Sequence, residues 1–209
     1  MIKIIKHSVI SDFKAFIDNK LIYTHTDNDK FSEFLSSLYR FLVISYPKFF
    51  KMDMLSKLGF LATELCVAQT EFSKTENKIN TAIYLLSNAS SLDTDINYQK
   101  TLNPEAYFPS PKVFVYTLPN IVIGEIAIKH KIFGENTCFI CQEFPDKTVF
   151  DYIYQSFLET DIKNAIVLWA DYINGNGKAY AFLIERETSS NIDKDDFNEK
   201  TINFLIFNK

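Results

Sequence analysis

The pattern that decides the fold lies in residues 116–141, which read YTLPNIVIGEIAIKHKIFGENTCFIC. Pro119 can occupy the first turn of a helix, where its missing N–H group costs little stability. The helix is predicted to run to about Lys131, and it is apolar nearly all round, which is typical of a buried helix. Residues 137–141 then form a short apolar run of the kind found in strands. A buried helix followed by a strand indicates a layered α/β structure.

Helices and strands alternate along the rest of the chain. Helical periodicity is found in residues 30–44, again from Asp53, and after Pro145. The length of 209 residues predicts one domain, 1–209, with a partly exposed C-terminal tail at 189–209. Five stretches have strand patterns and predict a mixed, mostly buried five-stranded sheet: 2–10, 79–86, 137–141, 165–170 and 179–184.

The composition excludes several classes of protein. Because 47% of the residues are hydrophobic, the chain can build a sizeable core, and global disorder is not expected. The net charge of −4 argues against nucleic-acid binding, which normally uses a basic face. No uninterrupted apolar run approaches the roughly 20 residues of a membrane-spanning helix. The first residues, MIKIIKH, are too short and too interrupted by lysine to be a secretory signal.

The three cysteines do not predict a disulfide framework, because their number is odd. A reduced, cytoplasmic compartment is therefore expected. Cys138 and Cys141 have C-x-x-C spacing, but positions three apart on a strand face opposite sides of the sheet. A zinc site would also need a second pair of ligands. We expect two buried thiols, with no metal and no cofactor.

Four stretches together resemble a known family. They are FFKMDMLSKLGFLA at 49–62, IYLLSNASS at 83–91, the helix that follows Leu118-Pro-Asn120, and FGENT at 133–137. Their order is similar to the N-terminal half of β-ketoacyl-acyl-carrier-protein synthases, and the matches cover roughly residues 45–185. The resemblance implies a thiolase-like, layered α-β-α(-β) half-fold.

The family's catalytic groups are not found at the matching positions. In the family, a strand after Gly-Pro-Asn-Thr ends in a nucleophilic cysteine at the start of a helix. Counting from Gly134 at the family's spacing gives Glu143, or Gln142 with an offset of one, and neither can form a thioester. Cys141 lies two residues early and is interpreted as core. The family's catalytic histidines stand in His-Gly-Thr and Gly-His segments, neither of which occurs here. No catalytic residue is therefore expected, and condensation by this chain alone is not expected.

A scaffold without its nucleophile resembles chain-length factors, which are inactive subunits that pair with a genuine ketosynthase. Similar half-length proteins belong to bacterial aryl-polyene and flexirubin clusters. The resemblance implies a heterodimer with a full-length ketosynthase, or a homodimer, and indirect contact with an acyl carrier protein. The implied dimer strand consists of Thr137, Cys138, Phe139, Ile140 and Cys141. The residues implied to face the partner and its acyl tunnel are Phe114, Tyr116, Thr117, Leu118 and Asn120, for which ordinary core packing is the alternative.

Two other functions stay open at this point. Glu143, expected at a helix N-terminus and therefore ionised, could serve as a base or nucleophile in a decarboxylase or hydrolase of acyl thioesters. Alternatively, the chain could be a simple acyl or carrier-protein binding module. Carrier proteins are acidic, so their docking face should be basic, and Lys48, Lys51 and Lys57 form the candidate cluster.

Overall fold

The computed structural model describes residues 1–25, 30–76, 78–102, 105 and 108–207. The strands are β1 Ile2–Ser11, β2 Lys14–Ile17, β3 Lys20–Thr24, β4 Thr81–Ser87, β5 Asn136–Ile140, β6 Asn164–Ile173 and β7 Asn176–Arg186. The α-helices are α1 Phe31–Phe41, α2 Met54–Val67, α3 Glu71–Lys74, α4 Leu92–Gln99, α5 Pro111–Phe114, α6 Ile121–His130, α7 Lys147–Glu159 and α8 Glu199–Phe207. Two 3₁₀ turns cover Pro47–Lys51 and Val115–Thr117.

All seven strands form one mixed sheet in the order β3-β2-β1-β7-β6-β4-β5. β4 runs parallel to both β5 and β6, and the other neighbouring pairs are antiparallel. The prediction of five strands was wrong because it missed β2 and β3. Both are short, and neither turn beside β2 contains glycine. Instead, Asp12, Phe13, Asp18 and Asn19 adopt positive φ values, which permit the tight turns that the sequence did not signal.

Helices cover both faces of the sheet, as the predicted layered class requires. On one face, α1, α2 and α6 pack on alternate strand residues such as Leu85 and Leu168. On the other face, α7 and α8 pack on the intervening residues, such as Tyr84 and Val167. Every residue of β4 is buried, because this strand lies between the two helical layers.

The predicted helices are present with small shifts at their starts. α2 follows Asp53, whose side chain accepts a hydrogen bond from the Ser56 N–H group at 2.9 Å. In α6 the helix begins at Ile121, two residues after Pro119. The helix α8 was not predicted; its residues Ile202, Leu205 and Ile206 are buried, so the C-terminal tail is exposed only in part.

The membrane criteria give one marginal result. Among the described residues, no single helix has the length and hydropathy needed to cross a membrane; Pro111–Thr117 and Ile121–His130 satisfy these criteria only as a pair, bent by 92°.

Candidate functional site at β5 and the bend that follows it

β5 is an edge strand, because it pairs with β4 alone among the described strands. The Ile83 N–H group bonds the Glu135 carbonyl oxygen, and the Cys141 N–H group bonds the Ser87 carbonyl oxygen, both at 2.9 Å. In a parallel ladder, alternate residues direct their polar main-chain groups to the same neighbour. The main-chain N–H and C=O groups of Asn136, Cys138 and Ile140 therefore point away from β4, to the open side of the sheet.

Large apolar side chains are exposed on β5 and in the segment that leads into it. The exposed fractions are 64% for Ile128 at the end of α6, 68% for Phe133 in the α6–β5 connection, and 60% for Ile140 at the end of β5. We call these three side chains, together with the outward main-chain groups of Asn136, Cys138 and Ile140, the β5 edge. Unpaired strand groups next to apolar surface are the usual features of a surface that another strand covers.

The α7 side of β5 is held by a polar and aromatic cluster. Glu135 Oε1 accepts hydrogen bonds from the Tyr152 hydroxyl group at 2.7 Å and from the Thr137 hydroxyl group at 3.3 Å. The rings of Phe139 and Tyr152 meet edge to face, with their centroids 5.2 Å apart. These contacts fix the strand without using its outward main-chain groups.

Cys138 and Cys141 lie on opposite faces of the sheet, as their spacing predicts. Cys138 packs against the core beneath α2 and α6, whereas Cys141 packs against the core beneath α7. Burial raises the pKa of Cys138, and it raises the pKa of Cys141 to about 11 with a further contribution from the Asp146 carboxylate. Both thiols are therefore protonated near neutral pH, which is the opposite of what a thiolate nucleophile requires. No group of three or more metal-binding side chains is found in the part of the chain that the structure describes.

Gln142 and Glu143 are exposed in the bend between β5 and α7. The expectation that Glu143 stands at a helix N-terminus is wrong, since α7 begins only at Lys147. Asp146 is the N-cap of α7, and its carboxylate accepts from the Val149 N–H group at 3.0 Å. The prediction failed because an aspartate beside the first turn satisfies the helix better than a glutamate three residues earlier.

The ends of β4, β5 and β6 are tied together at this bend. Asp171 Oδ1 accepts from the Ser87 hydroxyl group at 2.6 Å and from the N–H groups of Asn88 and Ala89 at 2.8 and 2.9 Å. The Asn88 amide group donates to the carbonyl oxygen of Gln142 at 2.9 Å. The N–H groups of Asn88 and Ala89 are thus already bonded to a carboxylate and are not free to stabilise an oxyanion. Sequence reasoning missed Asn88, which directly follows β4, and Asp171, which lies near the C-terminal end of β6, although α/β sheets place their sites at this edge.

The residues predicted to face a partner's acyl tunnel divide into two groups. Phe114, Leu118 and Asn120 are exposed, and Thr117 is half-buried, so these four side chains are accessible. Tyr116 is buried in the core of its own chain, which is the alternative left open for this segment, although it also contributes to the groove described below. The 3₁₀ turn at Val115–Thr117 rotates this residue inward.

A basic groove lies beside this segment. Lys48, Lys51 and Lys112 line a cavity of about 440 Å³ together with Val115 and Tyr116. The predicted cluster is corrected at one position, since Lys57 does not line the groove but lies 5.9 Å from the centre of the Phe49 ring. Lys112, which is distant in sequence, takes its place.

Comparison with solved structures identifies the fold. Over 92% of this chain, the structure of the ishigamide ketosynthase/chain length factor superposes with a TM-score of 0.67 at 14% identity, and the match spans 63% of that chain. The ketosynthase ApeO in complex with its chain length factor ApeC from Xenorhabdus doucetiae matches 90% of this chain and 80% of that one, with a TM-score of 0.57 and 12% identity. A type II polyketide synthase acyl-carrier protein in complex with its ketosynthase, AntDE:AntF, gives 0.60 at 10% identity over 92% of this chain and 64% of that chain.

These likenesses show the thiolase-like fold that the four sequence stretches predict. The chain spans less than two thirds of the length of two of these three structures. A scan of the sequence against protein families finds no match. A search of curated proteins finds none either.

Proposed function

We propose that this protein is a non-catalytic, chain-length-factor-type subunit that pairs with a ketosynthase through the β5 edge. The observation that carries the proposal is the open side of β5, where the main-chain groups of Asn136, Cys138 and Ile140 point outward, while the segment that leads into β5 exposes Ile128 and Phe133. A partner strand would satisfy these groups and cover the apolar side chains.

The geometry of such a pairing follows from the outward residues. An antiparallel partner strand centred on Cys138 would exchange hydrogen bonds with Asn136, Cys138 and Ile140, and would leave the bonds of β5 to β4 intact. In a homodimer, Cys138 would face its own equivalent, and Asn136 would face Ile140. In the proposed heterodimer, the ketosynthase supplies the second strand in the same register.

The bend after β5 supports a role without catalysis. Gln142 and Glu143, which stand in this bend where the family resemblance expects the nucleophile, cannot carry a thioester. The nearest thiol, that of Cys141, has a raised pKa, and the N–H groups of Asn88 and Ala89 are engaged by Asp171. These features favour a subunit that shapes the partner's site over one that performs condensation.

The proposed pathway is bacterial polyene, polyketide or fatty-acid-type biosynthesis, with aryl-polyene or flexirubin pigments as the specific class. The neighbouring structures support the general class, since they are ketosynthase complexes, one of them bound to a hexaketide. The exposed residues Phe114 and Leu118 would then lie where their size influences the acyl chain of the complex.

Co-purification tests the proposal. The chain is co-expressed with a ketosynthase encoded beside it, as wild type and as Cys138→Pro. Proline removes an N–H group that points away from β4, so the variant should fold but bind the partner much more weakly. Cys138→Ser is the matched control and should bind like the wild type. A stable complex with the proline variant, or none with the wild type, would contradict the proposal.

The basic groove favours a second role for this chain. In this role, the groove would bind the acidic surface of an acyl carrier protein. Lys51 and Lys112 line the groove, and neither forms an ion pair within the described residues. We expect Lys51→Met and Lys112→Met to weaken binding of the carrier protein encoded beside this chain, and to leave ketosynthase pairing unchanged. Retention of carrier-protein binding in the double variant would exclude this role.

A further inference from the structure

Glu125 is the one fully buried carboxylate in the described part of the chain, with 3% of its surface exposed. It lies on α6 and accepts hydrogen bonds from the hydroxyl groups of Tyr46 at 3.1 Å and Tyr116 at 3.4 Å. The ammonium group of Lys48 lies 2.9 Å from its Oε1 atom. Three separate segments of the chain therefore meet at this one side chain.

Lys48 is the only cation that neutralises this carboxylate among the described residues. Burial, with the charge of Glu125 next in importance, raises the pKa of Tyr46 and of Tyr116 to about 12. Both phenols therefore keep their protons and act as donors, but they bring no positive charge. An ionised carboxylate inside a protein needs such a partner.

The same lysine also lines the open groove. About half of the Lys48 side chain is exposed, whereas Glu125 lies beneath the surface. Lys51 and Lys112 line the groove as well, but no carboxylate of the described residues pairs with them. The groove thus contains one lysine that is already paired and two that are free.

We propose that Glu125 holds Lys48 away from ligands, so that anionic groups bind between Lys51 and Lys112, and that Glu125 thereby limits the affinity of the groove for an acidic partner surface. This inference rests on the second proposed role, the docking of an acidic protein. Glu125 is a positioning residue, since it acts through Lys48 and Tyr116 and does not itself reach the groove's ligand.

The counterintuitive consequence is that removing the charge of Glu125 strengthens binding. In Glu125→Gln the amide oxygen can accept from one tyrosine hydroxyl group and the amide NH2 group can donate to the other, but the negative charge that holds Lys48 is gone and Lys48 is released into the groove. The probe is a polyglutamate peptide, and its affinity is measured by titration calorimetry at low ionic strength, where surface charges act most strongly. One additional cation in contact with the peptide should tighten binding about fivefold. Glu159→Gln, on the opposite helical layer, is the control for net charge and should change little.

Lysine variants complete the test. Lys51→Met and Lys112→Met should each weaken binding severalfold, whereas Lys20→Met on the distant strand β3 should not. Lys48→Met leaves Glu125 without its cation and could unfold the chain, so Lys48 is tested in the double variant Lys48→Met/Glu125→Gln. This variant should bind the peptide as the wild type does, because Lys48 contributes nothing to the wild-type groove.

The outcomes separate this inference from the role on which it rests. If binding depends on Lys51 and Lys112 but folded Glu125→Gln binds no more tightly than the wild type, the assignment for Glu125 is overturned. The proposal that the groove binds an acidic partner is then retained. If the double variant binds much more weakly than the wild type, Lys48 takes part directly and the assignment is again overturned. If the wild type does not bind the peptide, both the groove and the Glu125 assignment fail, while pairing through the β5 edge is unaffected.

Discussion

The carboxylate of Asp171 lies 2.8 Å from the main-chain nitrogen of Asn88 and so joins the end of β6 to the end of β4. Asn88 in turn binds the carbonyl oxygens of the bend after β5. The carboxyl ends of β4 and β6 and the bend after β5 are therefore occupied by a network whose donors and acceptors satisfy one another. This arrangement is better suited to holding the β5 edge in place than to binding a reacting carbonyl group.

Removal of Asp171 should destabilise this network. Asp171→Ala leaves the N–H groups of Asn88 and Ala89 and the Ser87 hydroxyl group without their acceptor, and we expect a loss of about 1–3 kcal/mol in the free energy of unfolding. Urea denaturation measures the loss. Asp171→Asn retains the accepting oxygen and should cost less; equal stability of the two variants would argue against this role.

Two helical glycines should respond to alanine in opposite directions. At Gly59 in α2, an added Cβ atom would lie 2.7 Å from Val122 Cγ1, so Gly59→Ala should destabilise by about 1–3 kcal/mol through overpacking. At Gly124 in α6 nothing lies within 4 Å of the added atom, so Gly124→Ala should stabilise by about 1 kcal/mol through helix propensity. Thermal unfolding of both variants checks the packing of α2 against α6. A stabilising Gly59→Ala would show that this packing is looser than described.

Alkaline pH should weaken the cluster around Glu125. The pKa of Tyr46 and of Tyr116 rises from 10.0 to about 12 on folding, so the folded chain binds more protons than the unfolded chain between these values. Their stabilisation is fully present below about pH 10 and is lost as the pH rises through about 12. Denaturant midpoints should fall over this interval, and they should fall less in Tyr46→Phe/Tyr116→Phe. An identical decline in both proteins would show that other groups govern the effect.

Glu143 should prove dispensable. Its side chain is exposed and lies outside α7, so Glu143→Ala should change the free energy of unfolding by less than about 0.5 kcal/mol and leave ketosynthase pairing intact. The alternative function, in which Glu143 is a base or nucleophile on acyl thioesters, predicts a hydrolase or decarboxylase activity that this substitution abolishes. Assays of acyl-thioester turnover with both proteins distinguish the two.

The parts of the fold that could be predicted are those with strong apolar patterns. β4, β6 and β7 are buried on both faces, and α2 and α6 pack against them. The local apolar patterns of these five elements are therefore sufficient to predict them as strands and helices. The hairpin strands β2 and β3 escaped prediction because they are short and because their turns use aspartate, asparagine and phenylalanine at positive φ values.

The only part of the candidate site that could be predicted from the sequence is its place in the order of strands and helices along the chain. The sequence placed Cys138 on a strand at 137–141 with Glu143 just after it, and the sheet order then made that strand an edge. The hydrogen bond between Asp171 and Asn88 joins residues 83 positions apart, and no local sequence pattern predicts it. The same holds for the groove, where Lys112 joins Lys48 and Lys51 only after folding.

Amide hydrogen exchange, resolved by residue in the isolated chain and in its complex with the ketosynthase, tests the central claim most directly. The N–H groups of Thr137 and Phe139 point to β4 and should exchange slowly in both samples. Those of Asn136, Cys138 and Ile140 point outward; they should exchange quickly in the isolated chain and become protected in the complex. Equally fast exchange of these three groups in both samples would contradict pairing through β5.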